Sequence, residues 1–283
     1  MTQHNADALH TLAHESLPEE IAERWTGLFR TSLRLAKAEG DEGRVVGRLG
    51  GLPELPEGVK WPVWESEGPL SFVAAVDCAA LPSGALDIPL PPDGTLSFFY
   101  FDGQLDEGLN PVDPADPDTW AGAQVLYTPA GVPVTLREAP EVLQPYAEIP
   151  LTASPEATAP DLEHPLVQRE FGPLPDTHPL RDEEFEEAMW DLAEGAEHRI
   201  GGHADPVQGP VEPEVAHGVL GNPPWDDPRI EEEALNWVLL AQFDSDDDTD
   251  MMWGDGGALY WLIRREDLAE RRFDRARFTW QCG

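Results

Sequence analysis

Basic residues are what this chain has least of. Lys and Arg number 18 against 55 Asp and Glu in 283 residues, a formal net charge of −37. Nucleic acid and anionic membrane bind proteins through clustered Lys and Arg that release counterions, so neither is an expected partner. Such a surface attracts a basic protein or peptide, or a cation, and it also serves solubility alone. Cysteine is nearly missing. Cys78 and Cys282 are too few for a disulfide framework and lack metal-ligand spacing, so both are expected to be reduced, buried, small apolar residues. No apolar run approaches the roughly 20 residues of a membrane span. The opening residues, MTQHNADALHTLAHES, have neither the positive start nor the apolar core of a secretory signal, which predicts a cytoplasmic protein.

Catalytic signatures are missing as well. The chain has no nucleophile elbow, no phosphate loop and no dinucleotide fingerprint; Gly254, Gly256 and Gly257 lack the fingerprint's spacing. His198, His203 and His217 have no HExxH or Cys/His pattern to support zinc, and read as satisfied loop histidines. Carboxylates are so abundant that spacing singles out no acid/base pair. Whether the chain is an enzyme is left open, with no catalytic residue assigned.

What is there organises itself as strands between long loops. Ser16 can cap a helix with Pro18, Glu19 and Glu20 in its first turn. Leu17, Ile21, Trp25, Leu28, Phe29, Leu33 and Ala36 continue one apolar face to a stop at Gly40. Residues 1–43 are thus expected to be a polar lead and a helix packed on a single domain, residues 44–283. Prolines 53, 56 and 62 make the segment after Arg44 an extended loop pinned by Trp61 and Trp64. Leu70–Val76 and TLSFFYFD read as strands. Residues 104–180 read as long loops with a few edge strands, such as AQVLYT and PVTLRE. A helix should run from Asp182 to Glu194, stopped by Gly195, and a Pro-rich connection should span Pro210 to Pro228. WVLLAQFD, ALYWLIR and ARFTWQC follow as strands, with a short helix at Glu266–Arg271.

Set side by side, the halves (about 44–180 and 181–283) repeat the same order of features. Arg48-Leu49-Gly50-Gly51 matches Arg199-Ile200-Gly201-Gly202, and Phe72–Asp77 matches Leu239–Asp244 in apolar register. Asp93-Gly94 leading into an aromatic strand matches Asp255-Gly256. The fold class that follows is α+β: two related β-sheet halves, an internal duplication, forming one core with a few peripheral helices.

The second half carries what the first lacks. Five aspartates fall within Asp244–Asp250, followed by Met251, Met252 and Trp253. Asp244, Asp246, Asp248 and Asp255 fit the first, third, fifth and twelfth positions of an EF-hand loop, so a Ca or Mg ion is one candidate cofactor. Against it, Thr249 replaces the bend glycine, the last ligand is Asp rather than Glu, and strands flank the loop. The other reading is a solvated acidic hairpin tip: like charges exposed there repel by only a few tenths of a kcal/mol each.

The ordered motifs RLGGLPELPEGVKWP, LSFVAAVD, DGTLSFFYFD, HRIGGHADPVQG, LLAQFDSDDD, MMWGDGGALYWLIRREDL and the terminal WQC resemble the YwqG-like family of bacterial proteins, a domain of unknown function. The resemblance runs from Arg44 to Cys282. It implies an α+β fold and a soluble cytoplasmic protein, and no established activity. Proximity of some members to secreted-toxin systems suggests a toxin-immunity-like or other protein-interaction role by association. The family's recurring residues correspond here to Gly50, Gly51, Pro53, Trp61, Pro62, Gly201, Gly202, Gln208, Gln242, Asp244, Asp246, Met252, Trp253, Gly254 and Asp255. Ala75 departs from a family Gln, and His203 from a common aromatic. That moves the candidate ligand site to Gln208, Gln242, Asp244, Asp246, Trp253 and Asp255 in the second half.

Overall fold

Ten antiparallel strands make one sheet in the computed structural model, which describes residues 2–38, 43–82, 84–193 and 198–283. They are β1 (Arg30–Lys37), β2 (Val45–Leu49), β3 (Ser71–Asp77), β4 (Thr95–Tyr100), β5 (Ala123–Thr128), β6 (Ile149–Thr158), β7 (His198–Gly201), β8 (Trp237–Asp244), β9 (Ala258–Arg264) and β10 (Arg277–Gln281). Their order across the sheet is β10-β9-β8-β7-β1-β6-β2-β3-β4-β5. The last four strands therefore lie on one side and β2–β5 on the other, with β1 and β6 paired at the centre.

The sheet is nearly closed, and its concave side holds the main core. Phe98 of β4 reaches across the interior to Phe243 of β8 at 5.1 Å and Trp261 of β9 at 5.3 Å between ring centroids. Tyr100 stacks on Phe278 of β10 at 4.8 Å. Aromatic pairs of this geometry add to the area they bury, so the rings tie the two sides of the sheet together. Irregularities interrupt the ladders between Phe72 and Ala74 in β3, between Leu239 and Ala241 in β8, and where Leu151 and Thr152 of β6 pair with β2. An inserted residue bends and twists its strand, which helps a long sheet curl.

Helices flank the sheet, and all but the last, whose Leu268 joins the main core, cover its convex side. These are α1 (Thr2–Ser16), α2 (Glu19–Thr26), α3 (Pro165–Phe171), α4 (Glu183–Ala193), α5 (Val211–Val219), α6 (Pro228–Ala234) and α7 (Arg265–Ala269). Ala13, Trp25, Val167, Leu180 and Phe185 join α1–α4 in a second apolar cluster, while Val211 and Val215 seat α5 on Leu239 and Tyr260. Among the described residues no helix is long and apolar enough to cross a membrane.

Several strand expectations meet their counterparts: β3, β4, β5, β8, β9 and β10 coincide with the apolar and aromatic runs. Asp182 caps α4 as expected, its carboxylate accepting from Glu184 N and Phe185 N; Glu194 and Gly195 lie outside the described residues, as does Gly40. Other expectations need correcting. The N-terminal helix does not run on past Leu28: α2 stops at Thr26, and Arg30–Lys37 is a strand in the middle of the sheet. Leu33 and Leu35 are buried in strand alternation, whereas Leu33 with Ala36 fits the helical stripe. The segment before Ser16 is itself helical. Ile149–Thr158 is a central strand despite two prolines, because β2 pairs only with its Ile149–Thr152 end and Pro155 is left with one neighbouring strand. Within the Pro-rich connection, Pro210 and Pro213 stand at the start of α5, where a missing N–H costs nothing. Cys78 is buried and Cys282 half-buried, both free.

Candidate functional site

The acidic turn joins β8 to β9, and its backbone is tied off locally. Asp246 and Met251 exchange N–H···O bonds of 2.7 and 3.0 Å, closing the tip into a loop. Ser245 Oγ donates to Gly257 O and accepts from Trp253 N, both at 2.9 Å. Asp250 takes the left-handed conformation, φ 63°, which Asp tolerates better than most residues. Met251 and Trp253 sink into the core, Trp253 edge-on to Tyr100 and Tyr146.

Asp246 is the pivot. Its side chain is fully buried, and Oδ1 accepts from Thr249 N at 2.9 Å. Lys37 Nζ, from the end of β1, bridges Oδ2 of Asp246 and Oδ2 of Asp248, each at 2.7 Å. His198 of β7 lies with Nε2 3.6 Å from Asp246 Oδ2, while its Nδ1 accepts from Asp244 N at 3.1 Å. Since Nδ1 is an acceptor, the ring proton of neutral His198 sits on Nε2 and faces Asp246. The His198 ring, against opposing desolvation and joined by Lys37 and Thr249 N, holds the Asp246 carboxyl well below the usual carboxylate range. Burial alone would lower Lys37, but the bonds and charges of Asp246 and Asp248 carry it above its ordinary value. An ion pair this deep leaves an uncompensated charge if either partner is removed.

The remaining candidate residues are engaged in bracing. Gln242, buried on β8, accepts from Asp205 N at 2.9 Å and donates to Asp205 O at 3.2 Å and Asp244 Oδ1 at 2.8 Å, so its amide is used up within the chain. Gln208 N donates to Gln281 Oε1, and its side chain donates to Cys282 O at 2.8 Å. Tyr260 adds a bond from its hydroxyl to Asp205 O. Together these clamp the segment after the second Gly-Gly pair onto β8–β10. Trp253 is only 2% exposed and presents no aromatic surface, because its ring fills the core. Asp247, Asp248, Asp250 and Asp255 are exposed, with Met252 beside them.

Asp244, Asp246, Asp248 and Asp255 do not converge as ion ligands. Asp246 turns inward to Lys37, Asp248 joins it there, Asp244 faces Gln242, and Asp255 lies beyond the tip. Among the described residues no group of three or more His, Cys, Asp or Glu side chains is placed to hold a metal ion. Lys37 and His198, the partners that define the turn, escaped sequence reasoning. Lys37 lies in a segment whose pattern reads as helix and His198 in one that reads as a loop, and contacts spanning 211 residues for Lys37 with Asp248 and 46 for His198 with Asp244 leave no local pattern.

A nearly closed antiparallel sheet flanked by helices defines a mixed α and β protein. The chain belongs to the family described as a domain of unknown function, DUF1963, whose model matches residues 47–282. The YwqG-like resemblance is consistent with that family. No curated protein matches the chain.

Proposed function

We propose that this protein is a non-enzymatic binding module that captures a basic segment of another protein on the tip of the β8–β9 turn, a role compatible with toxin-immunity-like proteins. The observation that carries the reading is the lock beneath the tip. Lys37, His198 and Thr249 hold Asp246 inside, so Asp247, Asp248, Asp250 and Met252 project from a fixed loop. Preorganised charge loses less entropy on binding, and a net charge of −37 steers a cationic partner toward it. A divalent ion on Asp244, Asp246, Asp248 and Asp255 is the weaker reading, since Lys37 already neutralises the site's centre.

Fluorescence anisotropy with a labelled Lys/Arg-rich peptide tests the proposal. Asp247→Asn, Asp248→Asn and Asp250→Asn together should weaken binding about tenfold, roughly 1.4 kcal/mol. Glu183→Gln, Glu184→Gln and Glu187→Gln on exposed α4 remove the same charge elsewhere and should change affinity far less. Equal losses in the two triple variants would reduce the turn to one patch of a generally acidic surface.

The same reading includes an internal duplication, supported by three correspondences. Strand order is mirrored about the β1/β6 pair. The bulges fall at positions that the repeat aligns, Phe72/Ala74 with Leu239/Ala241. Both Gly-Gly pairs take positive φ, 57° and 73° at Gly50 and Gly51, 67° and 74° at Gly201 and Gly202. Aligning the two halves across many family sequences checks this; absence of any shared profile beyond the glycines would count against it.

A further inference from the structure

A cleft of about 380 Å³ opens on the convex side of the sheet, between α1, α2 and α4 and the segment that follows the second Gly-Gly pair. Its volume is in the range of small-molecule sites, roughly 300–1,000 Å³. Trp25, Leu180, Phe185 and Met189 give it apolar walls, and Trp190 stands at its rim 79% exposed. Of the acidic residues in its lining, Glu156 is the most deeply buried. Glu156 of β6 lines the cleft, is only 5% exposed, and has one partner among the described residues, the Ser32 hydroxyl donating to Oε1 at 3.0 Å. No Lys, Arg or His nitrogen among the described residues comes within 4 Å of its carboxylate. The arginines nearby are committed elsewhere: Arg181 to Glu163, and Arg199 to His203 O and Asp205.

A buried carboxylate with a single neutral donor is costly to keep, and the usual remedies are a counter-charge or substitution. Here the open space beside it can admit the counter-charge from outside. We propose that this cleft is a binding site for a small organic cation, an ammonium carried on an apolar body, with Glu156 as its charge partner and the aromatic and aliphatic walls holding the body. Charge complementarity selects this occupant: Asp161, Glu163, Glu186 and Asp205 outnumber Arg181 and Arg199 in the lining, and those arginines are paired with Glu163 and Asp205, so an anion would meet net repulsion on entry. A hydrogen bond from an ammonium to a buried carboxylate is of the charge-assisted kind and discriminates against a neutral isostere. The site is separate from the β8–β9 tip, and its chemistry does not depend on the tip's role.

The test uses the full chain and three probes of one shape: phenethylamine, 2-phenylethanol and 3-phenylpropionate, followed by calorimetry and thermal melting. Phenethylamine should bind and raise the melting midpoint, since a ligand of the native state stabilises it by mass action. The alcohol should bind about tenfold more weakly or worse, and the carboxylate not at all. Glu156→Gln should abolish the preference for the amine while the unliganded variant melts at or above the parent temperature, because an unpaired buried charge has been removed. Ala204→Trp, which fills the cleft, should lose both the amine and the alcohol. The triple Asn variant of the tip should bind phenethylamine as the parent does, which keeps this result distinct from the peptide experiment. Equal affinity for amine and alcohol, unchanged amine binding in Glu156→Gln, or no amine binding at millimolar concentration would each overturn the proposal.

Discussion

The two Gly-Gly pairs have nearly the same backbone and opposite surroundings. In each, an arginine two residues before the pair reaches a carbonyl four residues further on: Arg48 to Leu52 O at 2.7 Å, Arg199 to His203 O at 3.3 Å. In each, positive φ and close neighbours exclude a side chain. Beyond that they diverge. The first is closed over by residues 143–146, leaving a void of about 10 Å³, which is at most one water. The second runs into a segment held by Gln242 and Gln281, and beside that segment lies the 380 Å³ cleft. One backbone device thus serves a filled site in one half and an open one in the other, so the place to look for ligand chemistry is the second.

The largest effects should come where the two pairs agree. A Cβ at Gly50 would sit 2.1 Å from Ala147 O, and one at Gly202 2.6 Å from Ser32 Cβ. Gly50→Ala and Gly202→Ala should each cost about 4 kcal/mol, combining left-handed strain with a clash that backbone cannot easily relieve. Gly58 has φ 84° but nothing within 4 Å of where a methyl group would stand, so Gly58→Ala isolates the strain and should cost only about 1 kcal/mol. Urea midpoints that put all three together would show that the loops' close packing contributes nothing.

Next in size is the lock under the acidic turn, which the first half lacks. Asp77, at the matching strand end, only caps Ala79 N at the surface. Asp246→Asn should cost about 3 kcal/mol by removing the buried charge that Lys37 and His198 face, leaving Lys37 with Asp248 as its one carboxylate partner among the described residues. The carboxyl's folded value is depressed below its unfolded value of about 3.9, so its contribution is complete above about pH 4 and fades as pH falls further. Stability curves of the parent and the variant should therefore approach one another in strong acid. Parallel curves would show that Asp246 is not charged in the folded protein.

Which parts of this were legible in the sequence follows from how local their causes are. β3, β4, β8 and β9 announced themselves because their apolar and aromatic content is contiguous. β1 did not: Leu33 and Ala36 continue the helical stripe of Ile21, Trp25 and Leu28, and only the pairing partners β6 and β7 decide between the two periods. β6 hid behind Pro150 and Pro155. The Asp run was plain, but what fixes its shape comes from Lys37 and His198. Glu156 stands inside a Pro-rich stretch whose pattern reads as loop, and its meaning is supplied only by the cleft around it. Charge clusters are visible in sequence, whereas the counter-charge, or the lack of one, is a property of the packed sheet.

A moderate effect should come from making the second half resemble the first. Gln242 and Ala75 are opposite the two matched arginines, Arg199 and Arg48. Gln242→Ala removes three hydrogen bonds that clamp Asp205 and Asp244, leaving the Asp205 N–H without its partner while Tyr260 still donates to Asp205 O, for about 2 kcal/mol. Amide exchange across residues 204–209 should accelerate while that of residues 50–56 stays unchanged. Acceleration in both segments would mean that the loops are coupled through the sheet rather than held separately.

The smallest expected effect tests His203, which directly follows the second Gly-Gly pair. Its Nε2 donates to Leu28 O at 2.9 Å and its backbone N–H donates to Thr158 Oγ1 at 2.9 Å, so the ring is enclosed between α2 and the sheet. Burial, with Arg30 adding repulsion, pushes its pKa down to about 3. The unfolded chain would bind a proton near the ordinary value of about 6.5 and the folded chain would not. Stability from this group is therefore complete above about pH 6.5 and declines as pH falls toward the folded value, by about 1.4 kcal/mol per pH unit at most. His203→Phe should cost about 1 kcal/mol at pH 7.5 through the lost bond to Leu28 O, yet be no less stable than the parent by pH 5.5. Unfolding curves at the two pH values give the answer: if the deficit of the variant is the same at both, His203 takes up its proton in the folded state and the second loop is open to water there, as the first is not.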